Sequence, residues 1–332
     1  MEERITLDCG SGGKKTAELI DKLIVPAFDN VALSALSDGA VVDGAPKLVF
    51  SADSFVVSPC FFPGGDVGKL AVCGTVNDLC MCGAEPRYLS FSLIIEEGFV
   101  MKDLERVIAS AALAAKQSGV KIVTGDTKVV ERNRGDGVYC NTAGIGFQRD
   151  VSLSPDRLCE GDAVIVSGPI GEHGVAVMLG RIGMGGSVLS DCRPLTDMTA
   201  AIIEAASDGL KLMRDPTRGG VATTLCEFVE KNGMTIELVE EDIPVSPAVR
   251  GACDLLGLDP FYCACEGRML AVVSNDRAEK ALYAMRKCPE GEGAHIIGRV
   301  TRSRPGKLLL KTILGGTRIL TKLAGAQLPR IC

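Results

Sequence analysis

Val120-Lys121-Ile122-Val123-Thr124-Gly125-Asp126-Thr127-Lys128 reads as a short buried strand that empties into a glycine and a carboxylate. Directly before it, Met101–Ser118 carries Met101, Leu104, Val107, Ile108, Ala111 and Ala115 at helical spacing, and Gly119 is placed to end that helix. Further upstream, Lys47–Val57 alternates through Leu48, Phe50 and Ala52, and Tyr88–Glu96 reads as another strand. Val138–Phe147 follows as one more. The first half is thus expected to be strands with one clear helix. Polar residues and Pro155 then interrupt the periodicity over Asp150–Gly161.

Beyond that break, strands are expected over 163–167, 234–239, 268–274 and 294–301, with a last β segment over 306–320. Helices are expected over about 171–181, 197–210, 220–231, 246–256 and 276–286. The pattern predicts a mixed α/β (α+β) chain whose helices pack on sheet faces. Its length suits two cores, so the expected domains are 1–155 and 156–322, followed by a mobile tail, 323–332.

Hydrophobic residues are 46% and charged residues 23% of the 332, ordinary for a soluble globular protein. With 39 glycines, 4% aromatics and no Trp, tight turns and backbone-lined sites are favoured over aromatic clusters. The net charge of −6, without a Lys/Arg cluster, argues against a nucleic-acid partner. An anionic small molecule is compatible with that charge when Mg²⁺ mediates. Met1-Glu2-Glu3-Arg4 starts charged and no apolar run is long enough to span a bilayer, so a cytoplasmic protein with no membrane contact is expected. There the 14 cysteines stay reduced. Cys73 and Cys226 lie in apolar stretches and read as small buried hydrophobes. Cys80/Cys82 and Cys263/Cys265 lack the usual zinc-ligand spacing, and the chain has only 2 histidines, His173 and His295, so no structural metal is expected.

Two nucleotide motifs fail. Gly10-Ser11-Gly12-Gly13-Lys14-Lys15-Thr16 lacks the phosphate-loop spacing, and in Gly65-Asp66-Val67-Gly68-Lys69-Leu70 a leucine stands where a hydroxyl is needed. The aspartates are more telling. Asp53 lies inside an apolar strand, Asp78 in a helix-like stretch, Asp126 after the buried strand, and Asp215 in Arg214-Asp215-Pro216-Thr217-Arg218-Gly219-Gly220. Singly, each serves equally well as a cap or turn residue. Together, carboxylates beside apolar stretches are how a protein holds Mg²⁺ on phosphates. Lys128, at a strand exit, is placed to reach a phosphate. Glu266, among small apolar residues in Cys263-Ala264-Cys265-Glu266-Gly267, is placed for general-base duty. Both serve equally well as surface or ion-pair residues.

The chain finishes Leu328-Pro329-Arg330-Ile331-Cys332. A terminal cysteine is either a frayed end or a carrier of a group on sulfur; Pro329 would stiffen the approach into an extended arm.

These residues carry a resemblance. Phe61-Phe62-Pro63-Gly64-Gly65, Gly74-Thr75-Val76-Asn77-Asp78, Val123-Thr124-Gly125-Asp126-Thr127-Lys128-Val129-Val130, Arg214–Gly220 and Pro329-Arg330-Ile331-Cys332 together resemble the HypE family of hydrogenase expression/formation proteins. That family shares a superfamily with aminoimidazole ribonucleotide synthetase and selenophosphate synthetase. The terminal cysteine motif separates it from those relatives.

The resemblance implies that a carbamoyltransferase, HypF, loads a carbamoyl group on the sulfur of Cys332. ATP then drives dehydration of the thiocarboxamide to a thiocyanate, and the cyano group passes to iron on a HypC–HypD complex. It also implies a homodimer whose N-terminal sheets join into a β-barrel, with ATP alongside. On that reading Asp53, Asp78 and Asp126 hold Mg²⁺, while Gly12, Gly13, Thr127, Asp215 and Thr217 complete the nucleotide site. Lys128 supports developing charge, and Glu266 removes the amide proton. Arg330, for its part, is either a docking residue for the tail or a solvated terminal charge. Two other readings stay open: a synthetase activating a free small molecule, and a thiol-rich metal chaperone.

Overall fold

The computed structural model describes residues 3–184, 188–323, 325 and 330–332. Its first half runs α1 (Lys14–Leu19), β1 (Leu48–Phe55), α2 (Val67–Met81), β2 (Ala84–Glu96), α3 (Met101–Ser118), β3 (Lys121–Thr124), β4 (Thr127–Val130) and β5 (Val138–Gln148), with short turns of helix between. These strands form one sheet in the order β1-β5-β2-β3, and β4 also pairs with β2. β5 runs antiparallel to both β1 and β2, whereas β3 and β4 run parallel to β2.

The two-residue period of a strand decides which side chains go inside. Leu89, Phe91, Leu93 and Ile95 of β2 are buried, while Leu48, Phe50 and Ile94 are exposed. α2 covers the inner face: a methyl built on Gly144 of β5 would meet Leu79 and Thr75 of α2 as well as Leu89. α3 then packs on α2. It ends as expected, because Gly119 takes the left-handed conformation (φ 72°) that glycine adopts without steric cost.

The second half runs β6 (Ala163–Val166), α4 (Glu172–Arg181), α5 (Thr196–Ala206), β7 (Leu210–Arg214), α6 (Gly220–Val229), β8 (Thr235–Val239), α7 (Pro247–Leu256), β9 (Leu270–Val273), α8 (Ala278–Arg286), β10 (His295–Thr301), β11 (Lys307–Lys311) and β12 (Thr317–Leu320). Its strands form a seven-stranded sheet ordered β12-β11-β8-β10-β6-β9-β7. β6 and β9 are buried along their whole length and lie inside the sheet. No helix of the described residues is long and apolar enough to cross a membrane.

Three expectations need correction. The helix placed over 197–210 stops at Ala206, and Leu210–Arg214 is an edge strand. The first half holds a second long helix, α2, with 13 of its residues buried; sheathed on every side, it shows no polar stripe to reveal its period. Lys128 lies within β4 rather than at a strand exit. Pro329, whose stiffening of the tail was expected, lies outside the described residues.

Candidate active site

β1 pairs with β5 so that Asp53 stands opposite Thr142. Thr142 is buried and shares a 2.6 Å hydrogen bond with Thr75 of α2, which ties this part of the sheet to the helix. One turn further along α2, Asp78 accepts a 2.8 Å hydrogen bond from the Ser51 hydroxyl of β1. Asp215, buried in the loop after β7, completes the group from the other half of the chain. Burial pushes the Asp78 carboxyl up to about 7, reinforced by the charges of Asp215 and Asp53. Burial likewise pushes Asp215 up to about 6, with Asp53 adding to it. Carboxylates in each other's field are short of positive charge.

Glu266 is 3% exposed, on the loop between the 3-10 turn Pro260–Tyr262 and β9. Its backbone is fixed from both sides. The Glu266 amide donates to Asp191 Oδ1 at 3.1 Å, and its carbonyl accepts from Asn77 Nδ2 at 3.3 Å. Asn77 Oδ1 in turn accepts from the Leu195 amide at 2.9 Å, so a single α2 side chain stitches the two halves together beside Asp78. Gly267 allows the close approach, since a Cβ there would lie 1.8 Å from the Asp191 carbonyl oxygen. Asp191 is paired with Arg268, which also holds Glu172 at 2.7 Å. Burial first, then Asp215 and Asp191, push the Glu266 carboxyl well up.

The tail ends at this cluster. Ile331 is buried, and Cys332 is partly buried against the same core. The Val56 amide donates to the Cys332 oxygen at 3.2 Å, and the Ser58 amide to the Arg330 carbonyl at 3.2 Å. Arg330 Nε donates to the Val56 carbonyl at 3.1 Å, and its guanidinium pairs with Asp136 at 2.5 Å. The arm is not extended throughout, because Arg330 has φ of 52°. Burial pushes the Cys332 thiol up to about 12, and the charges of Glu266 and Asp53 add to this against the opposing charge of Arg218.

Asp126 and Lys128 stand elsewhere. Asp53 on β1 is opposite Thr142 on β5, Thr142 is opposite Phe91 on β2, and Gly125 abuts the Phe91 carbonyl on the far side. That separation is three strand spacings, roughly 14 Å. Asp126 sits instead in a cavity of about 420 Å³ lined by Gly10, Gly12, Thr16, Thr127 and Lys128 among others. Its carboxyl is held below the usual range by a 2.6 Å bond from Lys128. Gly13 is the N-cap of α1 beside the lining residue Gly12, and the Gly12 amide donates to the Thr16 hydroxyl at 3.0 Å. The expected set Asp53, Asp78 and Asp126 is therefore not one cluster within the chain. Among the described residues, no group of three or more His, Cys, Asp or Glu side chains is placed to hold a metal ion. Thr217, half-buried two residues past Asp215, turns the loop by accepting from the Gly220 amide at 2.9 Å.

Residues 36–148 match the AIR synthase related protein N-terminal domain, and residues 160–311 match its C-terminal domain. Over 332 residues the chain is 46% identical to the carbamoyl dehydratase HypE of Bradyrhizobium diazoefficiens, covering 99% of this chain and 96% of the relative. It belongs to the HypE family. A crystal structure of a HypE hydrogenase maturation protein in complex with ATP aligns with a TM-score of 0.94 at 45% identity, covering 98% of this chain and 99% of that one. A HypE–HypF complex aligns with a TM-score of 0.79 at 43% identity, over 92% and 99%.

Several residues of the candidate site escape a reading of the sequence alone. Asn77 and Asp191 act through backbone groups, and nothing in their spacing announces partners more than seventy residues away. His173 meets the tail, and Ser190 meets His173, only in three dimensions. A signal existed for Asn77 alone, since it precedes Asp78 in the stretch that carries the resemblance.

Proposed function

We propose that this carbamoyl dehydratase dehydrates its own carbamoylated Cys332 at the cluster of Asp53, Asp78, Asp215 and Glu266. The observation that carries the reading is the docked tail, which brings the Cys332 sulfur into the field of Glu266 and Asp53. A synthetase for free small molecules, or a metal chaperone, gives that docking no purpose.

The chemistry divides among these residues. HypF loads the carbamoyl group onto sulfur, and the thiocarboxamide S–C(=O)–NH₂ enters with the tail. Its oxygen attacks the γ-phosphorus of ATP, ADP leaves, and the nitrogen gives up one proton to Glu266. Loss of the second N–H proton with phosphate then leaves S–C≡N. Mg²⁺ suits the hard oxygen donors of Asp53, Asp78 and Asp215, and it needs no closed cage because it keeps waters and phosphate oxygens among its ligands. When bound, it supplies charge neutralisation on the phosphates, much of what a protein contributes to phosphoryl transfer. A cation held there would offset the part of the upward push on Glu266 that comes from Asp215 and Asp191, which favours Glu266 as the acceptor of the amide proton.

The exposed sheet face bearing Leu48, Phe50 and Ile94 supports the homodimer, since an apolar face of this kind calls for a cover. Joining the two N-terminal sheets into a barrel also supplies what the single chain lacks. Asp126, Thr127, Lys128, Gly12 and Gly13 of one copy complete the nucleotide site whose carboxylates come from the other. Mixing Asp78→Asn protein with Lys128→Ala protein tests this: activity returns in the mixed dimer if the site is shared, and stays absent if each chain serves itself. The cyano group then passes to iron on HypC–HypD, and the unlinked cysteines suit the reducing cytoplasm. Domains of 1–155 and 156–322 accommodate this division of labour.

A further inference from the structure

Dehydration requires the Cys332 sulfur to stop at one point beside Glu266, yet hydrogen bonds from Val56 and Ser58 come from exposed or half-buried groups that water readily replaces. His173 is different. It lies in the first turn of α4 with no exposed surface, and its Nε2 is 2.7 Å from the Ile331 carbonyl oxygen. A carbonyl only accepts, so Nε2 carries the hydrogen. Burial pushes the imidazole down to about 4, so the ring is neutral and Nδ1 is the acceptor. The Ser190 hydroxyl, 2.8 Å away, donates to Nδ1. Ser190 is itself pinned: its oxygen accepts from the Cys192 amide at 3.1 Å, and its amide donates to the Pro63 carbonyl at 2.8 Å. Phe62 stands edge-on to the ring, centroids 5.3 Å apart at 88°. The imidazole thus has one tautomer and one orientation, both set from the protein body. It grips the peptide group next to Cys332.

We propose that His173 is the positioning residue that registers the C-terminal tail, its Nε2–H holding the Ile331 carbonyl so that Cys332 stops at Glu266. The proposal rests on the Cys332 dehydratase reading. His173 touches neither the carbamoyl group nor the nucleotide; it acts through the tail. Because it binds the main chain, it sets register independently of the Ile331 side chain. When the tail leaves to collect or deliver its group, a buried donor loses its partner, which biases the tail towards return.

The test uses the full chain. Without ATP or partner proteins, the Cys332 peptide is followed by mass spectrometry during iodoacetamide labelling of wild type, His173→Phe, His173→Gln and Ser190→Ala. Loss of one buried hydrogen bond is expected to speed Cys332 labelling roughly tenfold in His173→Phe and several-fold in Ser190→Ala. His173→Gln, whose amide can still donate, should stay near wild type. Buried Cys140 reports whether the fold is intact, and its slow rate should not change, while exposed Cys159 serves as the reference for free labelling. With protein already carbamoylated, single-turnover dehydration should fall by the same factor in His173→Phe while carbamoyl loading does not. Unchanged Cys332 labelling in both His173→Phe and Ser190→Ala overturns the proposal. So does an equal fall in loading and dehydration that His173→Gln fails to rescue. If the underlying reading is wrong, wild type itself loses no water with Mg·ATP, whatever the labelling shows.

Discussion

Asp78, Asp215 and Glu266 are buried acids, each pushed above the ordinary carboxylate range. An acid with a raised folded value holds more protons folded than unfolded, so its contribution to stability falls as pH rises. For Asp78 the fall runs from the ordinary value of 3.8 to about 7, and for Asp215 from 3.8 to about 6. On the proposed reading Mg²⁺ takes the place of those protons. Thermal melting with and without Mg²⁺ should therefore show a larger metal-induced rise in Tm at about pH 7.5 than at about pH 5. Glu266→Gln keeps the shape and removes the proposed base; single-turnover dehydration of carbamoylated protein should drop at least ~10²-fold, with folding retained. Cys332 belongs to the same scale. Its docked thiol, pushed up to about 12, is a poor nucleophile at neutral pH, so loading belongs to the undocked tail.

At the scale of elements, the Glu266 loop depends on a backbone contact that only glycine permits. Gly267→Ala places a methyl where the Asp191 carbonyl stands, and overpacking of that kind costs about 1–3 kcal/mol. Because the loop must move, dehydration should fall further than the melting temperature alone explains; a circular-dichroism melt beside the single-turnover rate checks this. Legibility in the sequence follows the same physics. α3 could be read to its last residue because one face is wet, one dry, and Gly119 closes it. α2 could not, because burial on all sides erases the stripe. β7 was hidden just beyond α5, where Leu210 and Leu212 resume an apolar pattern after only the short turn Ser207–Gly209. Asp53, Asp78, Asp215 and Glu266 were legible as carboxylates in apolar company. Their separation from Asp126 was not, since strand order is a property of pairing between distant segments.

For the whole molecule, the open apolar sheet face is the feature the single chain leaves unresolved. Phe50 is 69% exposed there and Leu48 50%. Phe50→Glu should convert a dimer to a monomer by light scattering and abolish dehydration while leaving each chain folded; a wild-type monomer in solution would remove the shared-site account. The central claim concerns the tail that the second half grips and the first half helps to hold. Its most direct test is the mass of the C-terminal peptide after incubation with the carbamoyl donor system and then with Mg·ATP. The account predicts one carbamoyl group gained on Cys332, then one water lost only when ATP is present. An unmodified Cys332, alongside ATP turnover on an added small molecule, would contradict it.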